Sequence, residues 1–194
     1  MPILEPVEWE DVWFFDVTDT KRRRVFLIGD SICFGYKTNV RLKLNEKNAI
    51  TGSFATSKAI DNEFLTKKIG MLVEEMNPEI IHFNNCNHGF HIGTADYAYH
   101  YERTVNYLLS LRPADRIILA TGTSMLQGNK NDEFVKPRNE IVLKLADKYG
   151  LAVDDLFSVI PGESDTRCDD GVHFTEEGYR LLGDRVVSEI VKKF

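Results

Sequence analysis

The sequence predicts an α/β fold, in which helices cover both faces of a parallel sheet. Short apolar runs rich in β-branched residues alternate along the chain with longer segments of helical periodicity. Short continuous apolar runs are typical of strands buried on both faces, and strands separated by helices pair in parallel. No change of composition, Gly/Ser linker or internal repeat divides the chain, so we expect one domain over residues 1–194.

Five strands are expected along this domain. They are predicted at residues 25–28, 48–54, 80–83, 116–120 and 151–153. The acidic and aromatic residues before them, at about 1–22, are expected to form an irregular N-terminal extension. The polar segment 121–131 is expected to be a loop near the edge of the sheet.

Three amphipathic helices lie between or after these strands. The first has an apolar face made of Ile60, Phe64, Leu65, Ile69, Leu72, Val73 and Met76. A second set at helical spacing is predicted to face the core and consists of Tyr97, Tyr101, Val105 and Leu108. The last helix is predicted to begin after Thr175, which is a good N-cap residue. Its apolar face consists of Tyr179, Leu182, Val186, Ile190 and Val191.

Composition and charge argue against several classes of function. The net charge is −6, and the only basic run is residues 21–24, so a nucleic-acid partner is not expected. No apolar stretch approaches the roughly 20 residues of a membrane span, so no membrane association is expected. Three cysteines without a C-x-x-C pair indicate a reducing compartment. The acidic N-terminus lacks the features of a signal peptide, and a cytoplasmic location is therefore expected.

Residues that follow strands are the first candidates for function, because ligands of open α/β sheets bind beyond the carboxyl ends of the strands. The first strand is followed by Gly29-Asp30-Ser31-Ile32. A serine in this position can expose its hydroxyl at the top of the sheet, and the glycine permits a tight turn. The alternative interpretation is that Asp30 and Ser31 serve only to cap the next helix.

A second candidate segment, with the sequence D-G-V-H-F, lies near the C-terminus. Asp170 and His173 are three residues apart, so the carboxylate can accept a hydrogen bond from imidazole Nδ1 and leave Nε2 free to take a proton from a serine. The competing interpretation is a capping aspartate beside a surface histidine. Together with Ser31, the pair predicts a nucleophile, a general base and an orienting acid in the order Ser, Asp, His.

The G-D-S-I and D-G-V-H-F-T-E-E-G-Y segments together resemble the SGNH (GDSL-like) hydrolases, over roughly residues 24–194. The resemblance implies a flavodoxin-like three-layer α/β/α sandwich with a five-stranded parallel sheet of order 2-1-3-4-5. It also implies a Ser-His-Asp triad and an oxyanion hole with three donors. The family's nucleophile corresponds to Ser31, and its acid and base correspond to Asp170 and His173.

The resemblance identifies the oxyanion donors less clearly, although Ser31 itself is one candidate. The family places a glycine after the second strand, and here both Gly52 and Ser57 are candidates. After the third strand the usual G-x-N-D is replaced by Cys86-Asn87-His88-Gly89, within a longer N-N-x-x-H-G block that is similar to one subgroup of the family. His88 occupies the position of the usual asparagine.

Asn85 and Asn87 are alternatives to His88 as donor. Residues near the catalytic segments that could line a substrate cleft, or simply anchor the loops, are Phe34, Tyr36, Phe90 and His91. His88 and His91 are three residues apart, but no carboxylate or cysteine joins them at a recognised metal spacing, so neither a metal nor a cofactor is expected. His82 alternates within an apolar strand and is predicted to be a core histidine.

The expected activity is hydrolysis of a small-molecule carboxylic ester, with a small acyl group such as acetyl on a carbohydrate or other polar alcohol. The preference for a small acyl group follows from the lack of an apolar lid segment. Two alternatives remain open at this stage. One is a flavodoxin-like ligand-binding module without catalysis, and the other is a metal-dependent hydrolase.

Overall fold

The computed structural model describes residues 4–128 and 130–194, which form a six-stranded sheet and five α-helices. The strands are β1 Glu10–Phe14, β2 Arg23–Gly29, β3 Ala49–Thr56, β4 Ile80–Phe83, β5 Ile117–Ala120 and β6 Ala152–Asp154. The helices are α1 Ser31–Glu46, α2 Glu63–Met76, α3 Thr94–Leu111, α4 Lys136–Tyr149 and α5 Glu176–Val191. A 3₁₀ turn, Ala114–Arg116, precedes β5, and a π-helical turn, Asn131–Val135, leads into α4.

The five strands from β2 to β6 are parallel, and their spatial order is β3-β2-β4-β5-β6. This is the order 2-1-3-4-5 when β2 is counted first, so the predicted sheet is confirmed. Its helices pack on both faces: α2, α3 and α4 bury their apolar residues in one core cluster, and α1 and α5 in another.

The N-terminal extension is not wholly irregular, because it contains β1. This strand pairs antiparallel with β3, from Glu10 opposite Thr56 to Phe14 opposite Gly52, and forms the edge of the sheet. The sequence concealed it because an edge strand exposes most of its side chains, so E-D-V-W-F shows no clear apolar alternation. By pairing with β3, the strand satisfies backbone groups that would otherwise be unpaired at the sheet edge.

The predicted helices are present with small differences. Asn62 caps α2 by accepting from the Phe64 N–H at 3.0 Å, so Ile60 lies before the helix, and the Phe64 side chain is half exposed. Thr175 caps α5, accepting from the Gly178 N–H at 3.4 Å. Within 4–128 and 130–194, each helix is too short or too polar to cross a bilayer.

His82 is a core histidine, as predicted. Its side chain is fully buried in β4, on the face covered by α1 and α5, and Nε2 lies 3.0 Å from Asp154 Oδ2 at the end of β6. The other oxygen of Asp154 accepts from Arg185 Nε of α5 at 2.9 Å. This buried histidine and carboxylate therefore connect two strands that are separated by β5.

The contact between α1 and α5 depends on a glycine. A Cβ atom added at Gly35 would lie 2.0 Å from the Tyr179 ring. We expect Gly35→Ala to lower the free energy of unfolding by about 1–3 kcal/mol through overpacking, despite the better helix propensity of alanine. Urea denaturation measures the change. Gly162→Ala is the matched control, because its Cβ would meet nothing within 4 Å. Equal losses in the two variants would contradict this account of the helix contact.

Candidate active site

Ser31 begins α1 directly after the turn that ends β2. Asp30 is the N-cap of this helix, and its buried carboxylate accepts from the Ile32 N–H at 2.9 Å and from the Asn87 N–H at 3.2 Å. The capping interpretation of Asp30 is therefore correct, but the same side chain also ties the Ser31 turn to the loop after β4. Ser31 lies at the first turn of the helix, where backbone N–H groups have no intrahelical acceptor.

His173 brings the C-terminal turn to Ser31. Its Nε2 lies 2.8 Å from Ser31 Oγ, and its Nδ1 lies 2.6 Å from Asp170 Oδ2. The second carboxylate oxygen of Asp170 accepts from the N–H groups of Val172 and His173, each at 2.9 Å. Ser31, His173 and Asp170 thus form a continuous hydrogen-bonded chain at the carboxyl edge of the sheet.

The same contacts determine the charge of Asp170. Burial alone would raise the pKa of its carboxyl group. The hydrogen bond with the His173 ring and those from the His173 and Val172 N–H groups outweigh burial and lower this pKa to about 2. Asp170 is therefore ionised at neutral pH, and its carboxylate can orient the His173 imidazole.

Arg167 supports the turn that carries Asp170 and His173. Its guanidinium donates to Ser124 O at 2.9 Å, to Ser124 Oγ at 2.6 Å and to Ile160 O at 3.0 Å, and it stacks 4.6 Å from the centroid of the Phe174 ring. Burial lowers the pKa of Arg167. No sequence pattern indicated this role, because the contacts go to Ile160 in the same loop and to Ser124, which is distant along the chain.

The polar segment 121–131 also holds this turn. Leu126 N donates to Gly171 O at 2.8 Å, and Gln127 Nε2 donates to Asp170 O at 2.7 Å. Residues 121–128 form a loop, as predicted, whereas residue 129 lies outside the described residues and Asn131 already begins the π-helical turn. The loop holds the backbone that carries Asp170. Gln127 in turn accepts from Lys130 Nζ at 2.6 Å.

A second buried arginine, Arg138 of α4, organises the loop after β4. It donates to the carbonyls of Cys86, His88 and Gly89 at 2.8, 2.6 and 2.6 Å, and its guanidinium lies 3.5 Å from the Phe134 ring centroid. Burial lowers the pKa of Arg138. The three carbonyls fix the orientation of the peptides around Asn87 and His88.

Two of the candidates for the oxyanion hole do not fit the structure. Gly52 lies inside β3 rather than in the loop after it, and a Cβ there would meet Met76 Sδ at 2.4 Å, so its assignment is corrected. Ser57 does follow β3, but its N–H donates to Trp9 O at 3.2 Å and its hydroxyl accepts from Trp9 N at 2.9 Å. Strand β1, which the sequence did not reveal, brings Trp9 to these groups.

The loop after β4 offers better placed donors. Asn87 and His88 line a cleft of about 270 Å³ together with Ser31 and His173. Asn87 Nδ2 makes a single contact of 3.3 Å, to Thr123 Oγ1. Asn85 instead donates to Lys58 O at 2.8 Å, and its side chain is buried.

The four residues proposed to line a cleft have different environments. Phe90 does line the cleft, stacked on Phe134 with ring centroids 4.5 Å apart. Phe34 is half exposed on α1, three residues after Ser31, and packs edge-on against Trp9. Tyr36 is fully buried between α1 and β4, so its assignment is wrong.

His91 is not among the cleft residues, because it pairs with Asp61 at 2.9 Å. The cleft is also lined by residues that the sequence did not indicate, namely Glu5, Met125, Gln127, Lys130 and Val172. Among the described residues, no three His, Cys, Asp or Glu side chains are grouped to hold a metal ion.

Comparison with known proteins supports the fold. Neither a protein-family model nor a curated protein sequence matches this chain. Among solved structures, a lipase/acylhydrolase from Enterococcus faecalis matches with a TM-score of 0.67 and 21% identity, over 87% of this chain and 95% of that one. A carbohydrate esterase family 3 protein from Talaromyces cellulolyticus matches with a TM-score of 0.70 and 13% identity, over 88% and 97% of the two chains.

An acetyl xylan esterase has a TM-score of 0.66 and 20% identity, over 85% of this chain and 98% of that one. A GDSL-like lipase from Parabacteroides merdae has a TM-score of 0.70 and 12% identity, over 88% and 96%. The chain therefore has the fold of the SGNH (GDSL-like) hydrolases.

Arg138 can be tested through stability. Arg138→Met removes the donor of four carbonyls, those of Cys86, His88 and Gly89 and, at 3.4 Å, that of Ile92. We expect the free energy of unfolding to fall by about 2–4 kcal/mol. Arg138→Lys should be intermediate, because a compact ammonium cannot reach the same set of acceptors. Chemical denaturation provides the measurement. Arg103→Met, on the exposed side of α3, is the control. If Arg103→Met lowered the free energy of unfolding as much as Arg138→Met, Arg138 would have no special structural role.

Proposed function

We propose that this protein is a serine ester hydrolase with Ser31 as nucleophile, His173 as general base and Asp170 as the acid that orients the base. The observation that carries the proposal is the hydrogen-bonded chain from Ser31 Oγ through the His173 ring to Asp170. Nucleophile, base and orienting acid in this relation are the signature of covalent catalysis by an activated serine.

In this mechanism His173 Nε2 takes the Ser31 proton while Oγ attacks the ester carbonyl and forms a tetrahedral oxyanion. The intermediate collapses, the alcohol leaves with the proton from His173, and an acyl-enzyme remains. Water then gives a proton to His173 and attacks the acyl carbon. The second collapse releases the carboxylic acid and returns the proton to Ser31.

The best supported oxyanion donors are the Ser31 N–H at the start of α1 and the Asn87 side-chain amide. Both residues line the cleft beside the hydroxyl of Ser31. His88 shares this wall and is the candidate for a third donor. Each well-placed donor contributes about 10²–10³ in turnover, so the Arg138 contacts that hold this loop also support the rate.

A small acyl group on a polar alcohol fits the cleft best. The cleft has a modest volume of about 270 Å³. Its walls carry the polar groups of Glu5, Gln127 and Lys130 beside Phe90 and Met125. Two of the similar structures are a carbohydrate esterase and an acetyl xylan esterase. We therefore propose acetyl or a comparably small acyl group on a carbohydrate as the substrate class, with no nucleic-acid or membrane partner.

The cysteines are consistent with a reducing compartment, for which we propose the cytoplasm. All three thiols are free. Cys33 and Cys86 are buried, and burial raises the pKa of each thiol to about 12, which argues against either as the nucleophile.

The direct test is hydrolysis of short-chain aryl esters and acetylated sugars. Wild-type protein should turn over both, and Ser31→Ala or His173→Ala should lower kcat by at least about 10³-fold while the fold stays intact by circular dichroism. Ser110→Ala, which changes an exposed hydroxyl at the end of α3, should behave as wild type. Binding of acetylated sugars without turnover would favour a non-catalytic module, and loss of activity on chelation would favour a metal-dependent hydrolase.

Asp170→Asn tests the orienting role. Asparagine carries no negative charge and can donate its NH₂ group to Nδ1, which favours the wrong imidazole tautomer, so we expect kcat to fall on the order of 10⁴-fold. In the wild type, the low pKa of Asp170 means that this carboxyl group is ionised throughout the range above about pH 4. Above that pH, the decrease of kcat/KM toward acidic pH should therefore fit the binding of a single proton. A two-proton limb there would contradict the assignment of Asp170.

A further inference from the structure

Glu5 places a carboxylate in the wall of the catalytic cleft. Its Oε1 accepts from the Gly89 N–H at 2.8 Å and lies 3.7 Å from His88 Nδ1, and the residue lines the cleft together with Ser31 and His173. The backbone around it is anchored at two points. Glu5 N donates to Glu8 Oε1 at 2.9 Å, and Trp9 N donates to Ser57 Oγ at 2.9 Å.

The charge of Glu5 is compensated only in part, by the Gly89 N–H and by the longer-range attraction of the buried Arg138 guanidinium. Among the described residues, its only ion-pair contact is with His88, and no lysine or arginine pairs with it. The Asp170 carboxylate is directed toward His173. Lys130, the basic residue of the cleft, donates to Gln127 Oε1 and lies 4.4 Å from the Phe90 ring centroid, and neither contact neutralises its positive charge.

Beside Glu5, a negative group on a substrate would face a carboxylate, whose repulsion opposes the attraction exerted by Lys130 elsewhere in the cleft. Glu5 is partly exposed, so the repulsion is reduced by solvent but is not abolished. A neutral alcohol with hydroxyl groups encounters no such penalty, and a carboxylate is a good acceptor for hydroxyl donors.

We propose that Glu5 is a specificity-determining residue that selects against esters whose alcohol carries negative charge. The inference rests on the proposed esterase function and narrows its substrate class to neutral or cationic alcohols. Acyl groups on an uncharged sugar would be accepted, and those on a uronate or a phosphorylated alcohol would be disfavoured.

The test uses three acetate esters of similar shape: phenyl acetate, 4-acetoxybenzoate and 4-(trimethylammonio)phenyl acetate. For each ester, kcat/KM of Glu5→Gln is divided by that of the wild type, which cancels differences in intrinsic reactivity between the esters. This ratio should be about tenfold higher for the anionic ester than for the neutral one, and lower for the cationic ester. The wild-type preference against the anionic ester should weaken as salt is raised from 0.02 to about 0.5 M, because salt screens partly exposed charges.

Glu10→Gln is the matched control. It removes the same charge from the same N-terminal region, at the start of β1, where Glu10 pairs with Lys58 and Lys68 outside the cleft. Its three ratios should be equal. Equal ratios in Glu5→Gln, or a salt-independent wild-type preference, would overturn the role of Glu5 while leaving the esterase assignment intact. Wild-type protein that hydrolyses no ester would instead overturn the proposed function.

Discussion

The carboxyl edge of the sheet depends on a single constraint, which is that buried loop carbonyls must have hydrogen-bond donors. The loops after β4 and β6 lie against the protein without regular secondary structure, so their carbonyl groups cannot be satisfied by neighbouring strands. Arg138 provides donors to the loop after β4, and Arg167 provides donors to Ile160 O after β6 and to Ser124 O in the loop after β5. Each guanidinium also stacks on an aromatic ring, which partly compensates for its removal from water.

The arginines also explain how the proposed catalytic residues can be held in place although loops carry them. Arg138 holds the backbone that presents Asn87 and His88, and Arg167 holds the backbone that presents Asp170 and His173. Asp30 joins the first of these loops to the turn before Ser31 through the Asn87 N–H. The Ser31 turn is thus joined to the loop after β4 by the Asp30 side chain, and to the C-terminal turn by the hydrogen bond between His173 and Ser31.

Sequence reasoning succeeded where the signal was local. The parallel strands, the polar loop and the turn carrying Asp170 and His173 all follow from short patterns whose physical meaning does not depend on distant residues. It failed for Tyr36, because helical phase turns that side chain into the core, and for Gly52, because β3 continues to Thr56. Glu5, Gln127 and the two arginines could not be predicted, since their functions arise from contacts with segments far away in the chain.

The buried contact between His82 and Asp154 has a consequence for how the sheet assembles. Side chains of a strand alternate between its two faces, so a slip of β6 by one residue would move Asp154 to the face covered by α2, α3 and α4. The carboxylate would then lie among apolar side chains without His82 or Arg185, at the cost of an unpaired buried charge. The apolar residues of this short strand would by themselves tolerate both registers nearly equally. The contact between His82 and Asp154 therefore selects the correct one.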